Sequence, residues 1–381
     1  MNRVAVEKSE SYDIITVRKA LRDLLYHFDG MGQFVKPGDR VLIKPNMLMG
    51  KAPEAAVTTH PSILQGVIEL VREAGGTPVV GDSPGFGSSR SVAAKSGLFA
   101  VVEATGAELA DFSTIKTVIG TGRFKRFEVA EAYLNADKVI NLPKLKTHEM
   151  MTMTCGVKNL FGIVVGKAKP AWHLRAGDSK ELFARMLLEL YQIREPDLTI
   201  VDAVTAMEGN GPGSGDPYHV GLLLAGTNAL AVDVIAAEIA QIPKKRLFVE
   251  REAEALQLNG WNRNEIETVG LALEDVHIKP FKLPPIADVQ FGLPKFLKKH
   301  LRNQLTTRPF AIKGKCLLCG VCVSACPPKV ISIKNKALCF DYSGCIRCFC
   351  CRELCPHSAL DVREGFLLKL LNRKNKFISD R

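Results

Sequence analysis

At 381 residues the chain is too long for one small domain and can hold two or three, and its 46% hydrophobic content can fill more than one core. No stretch is both long and apolar enough to span a bilayer; the nearest, residues 222–240, is interrupted by Asp233 and Glu238 and reads as a buried strand followed by a helix. The net charge of +11 is unevenly placed, because Pro294 to Arg381 carries 18 Lys and Arg against 5 Asp and Glu, so the remainder is slightly acidic. A basic end steers toward an acidic partner, which an anionic protein or a membrane surface would supply. It can also be only a solvated face. No nucleic-acid recognition motif accompanies the charge, so no nucleic-acid partner is expected.

Residues 1–293 read as α/β. Short runs rich in Val, Ile and Leu alternate with amphipathic helical patterns, which predicts a mainly parallel sheet covered by helices. Val41 to Ile43 is a buried strand, and Thr59 can cap a helix that starts at Pro61 and runs through Val71 to the stop at Gly75 and Gly76. Further strands are expected at 78–80, 138–142, 198–202 and 220–225, with a helix at 229–239. The glycine-rich segments 81–87 and 209–215 lack the Gly-Lys-Ser/Thr ending of a P-loop and the dinucleotide fingerprint, and they read as turns. Residues 294–312 form a basic linker, 313–365 a small cysteine-rich domain, and 366–381 a basic amphipathic tail. That tail can pack as a helix on its own protein or lie on a membrane surface.

Ten of the eleven cysteines fall between Cys316 and Cys355. Eight of them form two copies of C-x2-C-x2-C-x3-C-P: Cys316, Cys319, Cys322, Cys326 with Pro327, and Cys345, Cys348, Cys351, Cys355 with Pro356. Three thiolates at this interval can wrap one cubane, while the fourth, in the Cys-Pro step, binds the other cluster. Cys316, Cys319, Cys322 and Cys355 are therefore expected to hold one [4Fe–4S] cluster, and Cys326, Cys345, Cys348 and Cys351 a second. Zinc has no use for a third cysteine at the same interval. A disulfide framework needs an oxidising compartment. The first ten residues show no secretory apolar run and the first 315 residues hold one cysteine, Cys155, which points to the reducing cytoplasm. Cys339 and Cys350 fit no ligand position and read as small packing residues, although Cys350 abuts Cys351 and an exchange of ligand is conceivable.

In open α/β sheets, ligands bind beyond the carboxyl ends of the strands. Lys44-Pro45-Asn46, the stretch Asn141 to His148, the stretch Cys155 to Gly162 and the stretch Asp202 to Gly213 are loops of that kind. Lys44, Lys144, Lys146 and Lys158 could converge there with His60 and His148, hold a phosphate or carboxylate and exchange a proton. Taken singly, each lysine is as readily a separate surface charge.

The order of Lys44–Asn46, Thr59–Pro61, Gly81–Gly85, Pro143–His148, Gly156–Gly162 and Asp202–Pro212 resembles the family catalogued as domain of unknown function 362, over roughly residues 40–240. Many relatives carry a two-cluster ferredoxin domain, and members are usually described as iron–sulfur cluster-binding proteins. The resemblance implies one shared site, with Lys144, Lys146 and His148 as its catalytic groups and Lys44, Asn46, His60, Lys158, Asn159, Asp202 and Glu208 binding substrate. It names no substrate. The expected fold class is α/β, with a small C-terminal α+β two-cluster ferredoxin-like domain.

Three functions fit this reading. The chain can be an oxidoreductase whose two [4Fe–4S] clusters serve an anionic substrate or cofactor in the α/β domain. It can be a ferredoxin-type carrier whose α/β domain docks a partner enzyme, or a redox-sensing ligand-binding module. Two linked clusters favour transfer, since a sensor can manage with one, and the expected partner is an acidic redox protein or enzyme.

Overall fold

Strands buried on both faces need helices above and below them, and parallel neighbours need long crossovers. The computed structural model, which describes residues 1–166, 168–285 and 303–369, meets both needs in the first of two compact units. That unit comprises Met1–Lys169 and Lys180–Leu283; the second comprises Pro170–Ser179 and Pro284–Arg381.

The chain opens with β1 (Asn2–Lys8), α1 (Ile14–Tyr26), β2 (Arg40–Pro45), α2 (Pro61–Glu73), β3 (Thr77–Val80), α3 (Ser89–Lys95), α4 (Leu98–Thr105) and β4 (Glu108–Leu109). A separate ribbon of β5 (Ile115–Ile119) and β6 (Arg126–Ala130) precedes α5 (Glu131–Asn135). Then follow β7 (Lys138–Leu142), β8 (Lys144–His148), β9 (Thr152–Thr154), α6 (Gly156–Asn159), α7 (Ala168–Ala176), most of which belongs to the second unit, and α8 (Lys180–Tyr191). The first unit closes with β10 (Leu198–Glu208), β11 (Asp216–Gly226), α9 (Ala229–Ile239), α10 (Phe248–Ala255) and β12 (Ile266–Gly270).

The main sheet has the order β12-β1-β11-β10-β7-β2-β3-β4, with β8 pairing β10 and β9. β4, β3, β2, β7 and β10 run parallel, while β11 is antiparallel to both β1 and β10. Alternate residues serve opposite cores, as a period of two requires. Ala5, Ile200, Leu223 and Ala225 join Val17, Leu21, Leu24, Ile63, Val67 and Ile68 of α1 and α2. Val4, Val6, Val201, Leu222 and Leu224 join Val232, Ile235 and Ala236 of α9. Each fully buried aliphatic side chain contributes about 1.5–3 kcal/mol.

Every strand expected in the α/β part is present, as is the helix at 229–239. Two details differ. The strand expected at 198–202 continues to Glu208 past an irregularity between Ala203 and Thr205, because β11 supplies partners along its whole length. The cap of α2 is His60, whose ring Nδ1 accepts the Ser62 amide at 3.2 Å. Thr59 is occupied elsewhere, accepting from the Asn46 amide (2.9 Å) and donating to the Leu142 carbonyl (2.6 Å).

The second unit contains β13 (Thr307–Ala311), α11 (Val321–Ala325), β14 (Ile331–Lys334), β15 (Ala337–Phe340), α12 (Cys350–Glu353) and β16 (Leu360–Glu364). β13 pairs antiparallel with β16, and β14 with β15. Cys322, Cys326, Cys351 and Cys355 are part of its small core, with Ile331, Ala359 and Leu360. Residues 307–311, read from the sequence as the end of a linker, form β13 because β16 offers them a complete ladder. The rest of the expected linker up to 302, its boundary near 294, and the tail beyond 369 lie outside the described residues. Among the described residues no helix is long and apolar enough to cross a membrane.

Candidate functional sites

β2 and β7 are neighbours from which the sheet order departs both ways, toward β3 and β4 on one side and β10 and β11 on the other. Their carboxyl ends therefore mark the switch point at which open α/β sheets bind ligands. Lys44 of β2 lies opposite Asn141 of β7 in the ladder, so the Lys44–Asn46 and Asn141–Lys144 segments leave the sheet side by side.

Lys44, Lys144 and Lys146 are 0–1% exposed, which removes their reading as surface charges. A buried ammonium needs a partner. Lys44 Nζ lies 2.7 Å from Asp82 Oδ1, and Asp82 Oδ2 accepts the Met47 amide at 2.8 Å. Burial lowers the Lys44 pKa and the Asp82 charge opposes that shift. A β-carbon on Gly162 would overlap the Asp82 carboxylate and crowd Lys44 Nζ, so the pair depends on glycine there.

Lys144 Nζ donates to Asp202 Oδ2 (2.9 Å) and to Tyr12 Oη (2.6 Å). Tyr12 Oη donates in turn to Asp202 Oδ1 (2.8 Å) and accepts the Thr205 amide (3.0 Å). The Tyr12 ring stacks on His60, with centroids 3.5 Å apart and planes within 9°. The His60 amide completes the carboxylate shell of Asp202 at 2.8 Å. Burial, reinforced by Lys144 and opposed by Asp202, brings the His60 imidazole down to about 4, so it is neutral near pH 7.

A chain of amides adjoins this group. Lys146 Nζ donates to Asn46 Oδ1 (2.9 Å) and the Val57 carbonyl (2.6 Å). Asn46 Nδ2 donates to Asn159 Oδ1 (2.8 Å), and Asn159 Nδ2 to Asn141 Oδ1 (2.9 Å). Asn141 Nδ2 ends the chain on the Gly156 carbonyl at 3.0 Å. Each link polarises the next, which stiffens the network.

The structure thus gathers Lys44, Asn46, His60, Lys144, Lys146, Asn159 and Asp202 of the expected site. The other three make different attachments. Glu208 takes the backbone amide (2.8 Å) and the ammonium (3.0 Å) of Lys282. Lys158 sets its ammonium 5.9 Å from the Phe161 ring centroid. His148 accepts the Met150 and Met151 amides on Nδ1 at 3.0 and 3.2 Å, which fixes a turn. Sequence reasoning missed Tyr12 and treated Asp82 only as part of a turn; the signal for Asp82 is that it directly follows a buried strand and that buried lysines need anions.

A second polar group lies behind α6. Asp233 of α9 accepts the Gly156 and Val157 amides, and burial pushes its carboxyl from the ordinary 3.8 up to about 7. The fold therefore retains a proton that the unfolded chain has already released. This contribution to stability is full below about pH 4, falls as pH rises toward 7, and is level above. Asp233→Asn is expected to flatten that slope in denaturant unfolding measured from pH 4 to 7; an unchanged slope would assign the pH dependence elsewhere.

In the second unit the cysteines surround two recesses. Cys316, Cys319, Cys322 and Cys355 line one. Cys326, Cys345, Cys348 and Cys351 line the other. Each quartet draws its fourth cysteine from the opposite run. The two runs also repeat one backbone at the offset that separates Cys316 from Cys345. Leu318 and Arg347 are both left-handed (φ +54° and +59°), as are Gly320 and Phe349 (+78° and +59°) and Lys329 and Ser358 (+53° and +48°). Cys326 Sγ accepts the Val330 amide at 3.4 Å, and Cys355 Sγ accepts the equivalent Ala359 amide at 3.3 Å. Among the described residues no three Cys, His, Asp or Glu side chains close on one point as for a single ion.

The donor set suits an iron–sulfur cubane, which takes thiolates and occupies a volume rather than a point. Burial, and then the neighbouring Cys355, Cys316 and Cys319, push the Cys322 thiol up to about 11. Thiols crowded in this way would release their protons to solvent readily only where a cationic core binds the sulfurs. Of the two extra cysteines, Cys350 is buried, as expected of a packing residue, and hydrogen-bonds to Cys348. Cys339 is exposed on β15 with its thiol toward the Ala337 carbonyl, because the strand alternation turns it outward.

The profile of the family described as Domain of unknown function (DUF362) matches residues 41–238, from β2 to α9. A thylakoid-associated protein of Synechocystis sp. is 39% identical over 313 residues, which cover 81% of this chain and 97% of that protein. Among solved structures, the lactate racemase apoprotein from Thermoanaerobacterium thermosaccharolyticum superposes with a TM-score of 0.41 at 13% identity, over 63% of this chain and 56% of its own; so slight a likeness carries no functional argument.

Proposed function

The chain belongs to the Domain of unknown function (DUF362) family, and from that premise we propose that it is an iron–sulfur electron-transfer protein whose second unit is a two-cluster ferredoxin-like domain. Cys316, Cys319, Cys322 and Cys355 hold one [4Fe–4S] cluster, and Cys326, Cys345, Cys348 and Cys351 the other. When bound, the clusters supply one-electron steps. The observation that supports this most is the division of eight motif cysteines into two quartets, each with a sulfur from the opposite run.

The network at the switch point is the site these electrons serve. An anionic substrate or cofactor bound beyond β2 and β7 meets the positive ends of Lys44, Lys144 and Lys146. Tyr12, between Lys144 and Asp202, accepts from one and donates to the other, so a proton can pass along this path without large movement. His60, stacked on Tyr12 and kept neutral by burial, holds the phenol in place beside Asp202.

One observation favours a second reading. Lys44 and Lys144 already pair with buried aspartates, as they would if the α/β unit were a rigid scaffold that docks a separate enzyme. Anaerobically purified protein should bleach in the visible on adding dithionite and recover on reoxidation, taking up about two electrons per chain. Failure to bleach reversibly would refute the electron-transfer reading. A bound anionic small molecule released on denaturation would favour the enzyme, and unchanged electron flux in a Lys146→Met variant with intact clusters would favour the scaffold.

A further inference from the structure

Three arginines of the second unit stand over two aromatic rings. The guanidinium carbons of Arg308 and Arg347 lie 5.1 and 5.5 Å from the Tyr342 centroid, and that of Arg363 lies 4.7 Å from the Phe310 centroid. Arg308 and Arg363 stand directly opposite each other in the β13–β16 ladder. Like charges in that position destabilise a ribbon, so this pair is held against the local interest of the sheet. Arg347 is 7% exposed, and its hydrogen bonds to Asn303 Oδ1 (2.6 Å) and Thr306 Oγ1 (3.4 Å) leave its charge uncancelled by those partners. Of the neighbouring acids, Asp341 is turned onto Ser343 and Asp361 toward Arg352. Arg308 is half-buried and Arg363 exposed, so the charge reaches solvent.

This charge belongs to one recess. Tyr342 Oη donates to the Pro309 carbonyl at 2.7 Å, and the Tyr342 ring lies parallel to Phe340 within 2° at 5.8 Å. Pro309 and Phe340 line the second recess together with Cys345. In the otherwise repeated first run, Leu318 occupies the position of Arg347, and the recess there is rimmed by Leu317, which is 66% exposed. The two halves of a near-symmetric module thus differ at this position, an arginine in the second run and a leucine in the first, although exposed Lys313 and Lys315 precede Cys316 there.

We propose that the Arg308–Arg347–Arg363 face around Tyr342 is the docking surface for an acidic one-electron carrier protein, and that the cluster of Cys326, Cys345, Cys348 and Cys351 is the centre that exchanges electrons with it. The inference rests on the cluster reading above. One electron passes between this cluster and the carrier's redox centre; one is oxidised as the other is reduced, and no bond is made or broken. The basic face draws the carrier in and orients it, an effect that acts chiefly on the association rate.

The test uses small oxidants as stand-ins for the carrier. Dithionite-reduced, anaerobically purified full-length protein is mixed rapidly with the trianion tris(oxalato)cobaltate(III) or the trication hexaamminecobalt(III), at low and high salt. The trianion is expected to react faster at low salt, with the difference closing as salt screens the face. Arg308→Gln with Arg363→Gln should slow the trianion roughly tenfold at low salt and speed rather than slow the trication, while Lys at both positions should restore both rates. The same loss of charge at exposed Lys116 and Lys125 on the β5–β6 ribbon should have little effect. The proposal is overturned if the arginine variant reacts normally, if the ribbon variant loses as much, or if the unaltered protein shows no preference for the trianion. Iron counts on the same samples separate the two claims: absent clusters refute the cluster reading, whereas intact clusters without a local charge preference refute only the docking face.

Discussion

Cys326→Ala combined with Cys348→Ala is expected to retain about four irons per chain, whereas Cys326→Ala combined with Cys319→Ala is expected to retain almost none. The difference follows from which recess each sulfur lines. Cys326 and Cys348 belong to the same quartet although they come from different runs, so losing both damages one cluster. Cys319 lines the other recess although it shares a run with Cys326, so that pair damages both. Cys355→Ala with Cys319→Ala should again spare about four irons. Iron and sulfide analysis with low-temperature EPR of the reduced variants reads the result. If each run held its own cluster the two outcomes would be interchanged.

Lys144→Met is expected to destabilise the protein by about 3–5 kcal/mol, because it strands the buried Asp202 charge. Asp202 would keep Tyr12 Oη and the His60 amide as donors but lose its cation. Lys144→Met with Asp202→Leu, which removes both charges, should recover much of the loss, since a buried pair replaced as a unit is often near neutral. Urea unfolding measures both, read as the shift in midpoint at constant slope. Equal losses in the single and double variants would mean that Lys144 acts through packing rather than charge.

The difference between what could and could not be read from the sequence follows the range of the interactions. The cysteine spacing is local, and the repeat carries its own backbone, so two quartets were legible from the residues alone. The strands at 138–142 and the helix at 229–239 were likewise marked by their own apolar runs. The convergence of Lys44, Lys144 and Lys146 was legible because strand ends in α/β sheets share one edge. Their burial was not, since it depends on partners distant in sequence. Tyr12 meets Asp202 from an irregular stretch 190 residues away, with nothing local to announce it. Glu208, Lys158 and His148 were read from the same loop segments, and contacts with Lys282, with Phe161 and with the Met150 and Met151 amides, which the segments do not announce, are among those they make. The cap of α2 moved from Thr59 to His60 because the hydroxyl of Thr59 was needed to tie Asn46 to Leu142.

Iron and acid-labile sulfide counted per chain after strictly anaerobic purification, with zinc measured in the same sample, test the central claim most directly. Two cubanes predict about eight of each and negligible zinc. About four irons or fewer, with zinc in their place, would contradict it.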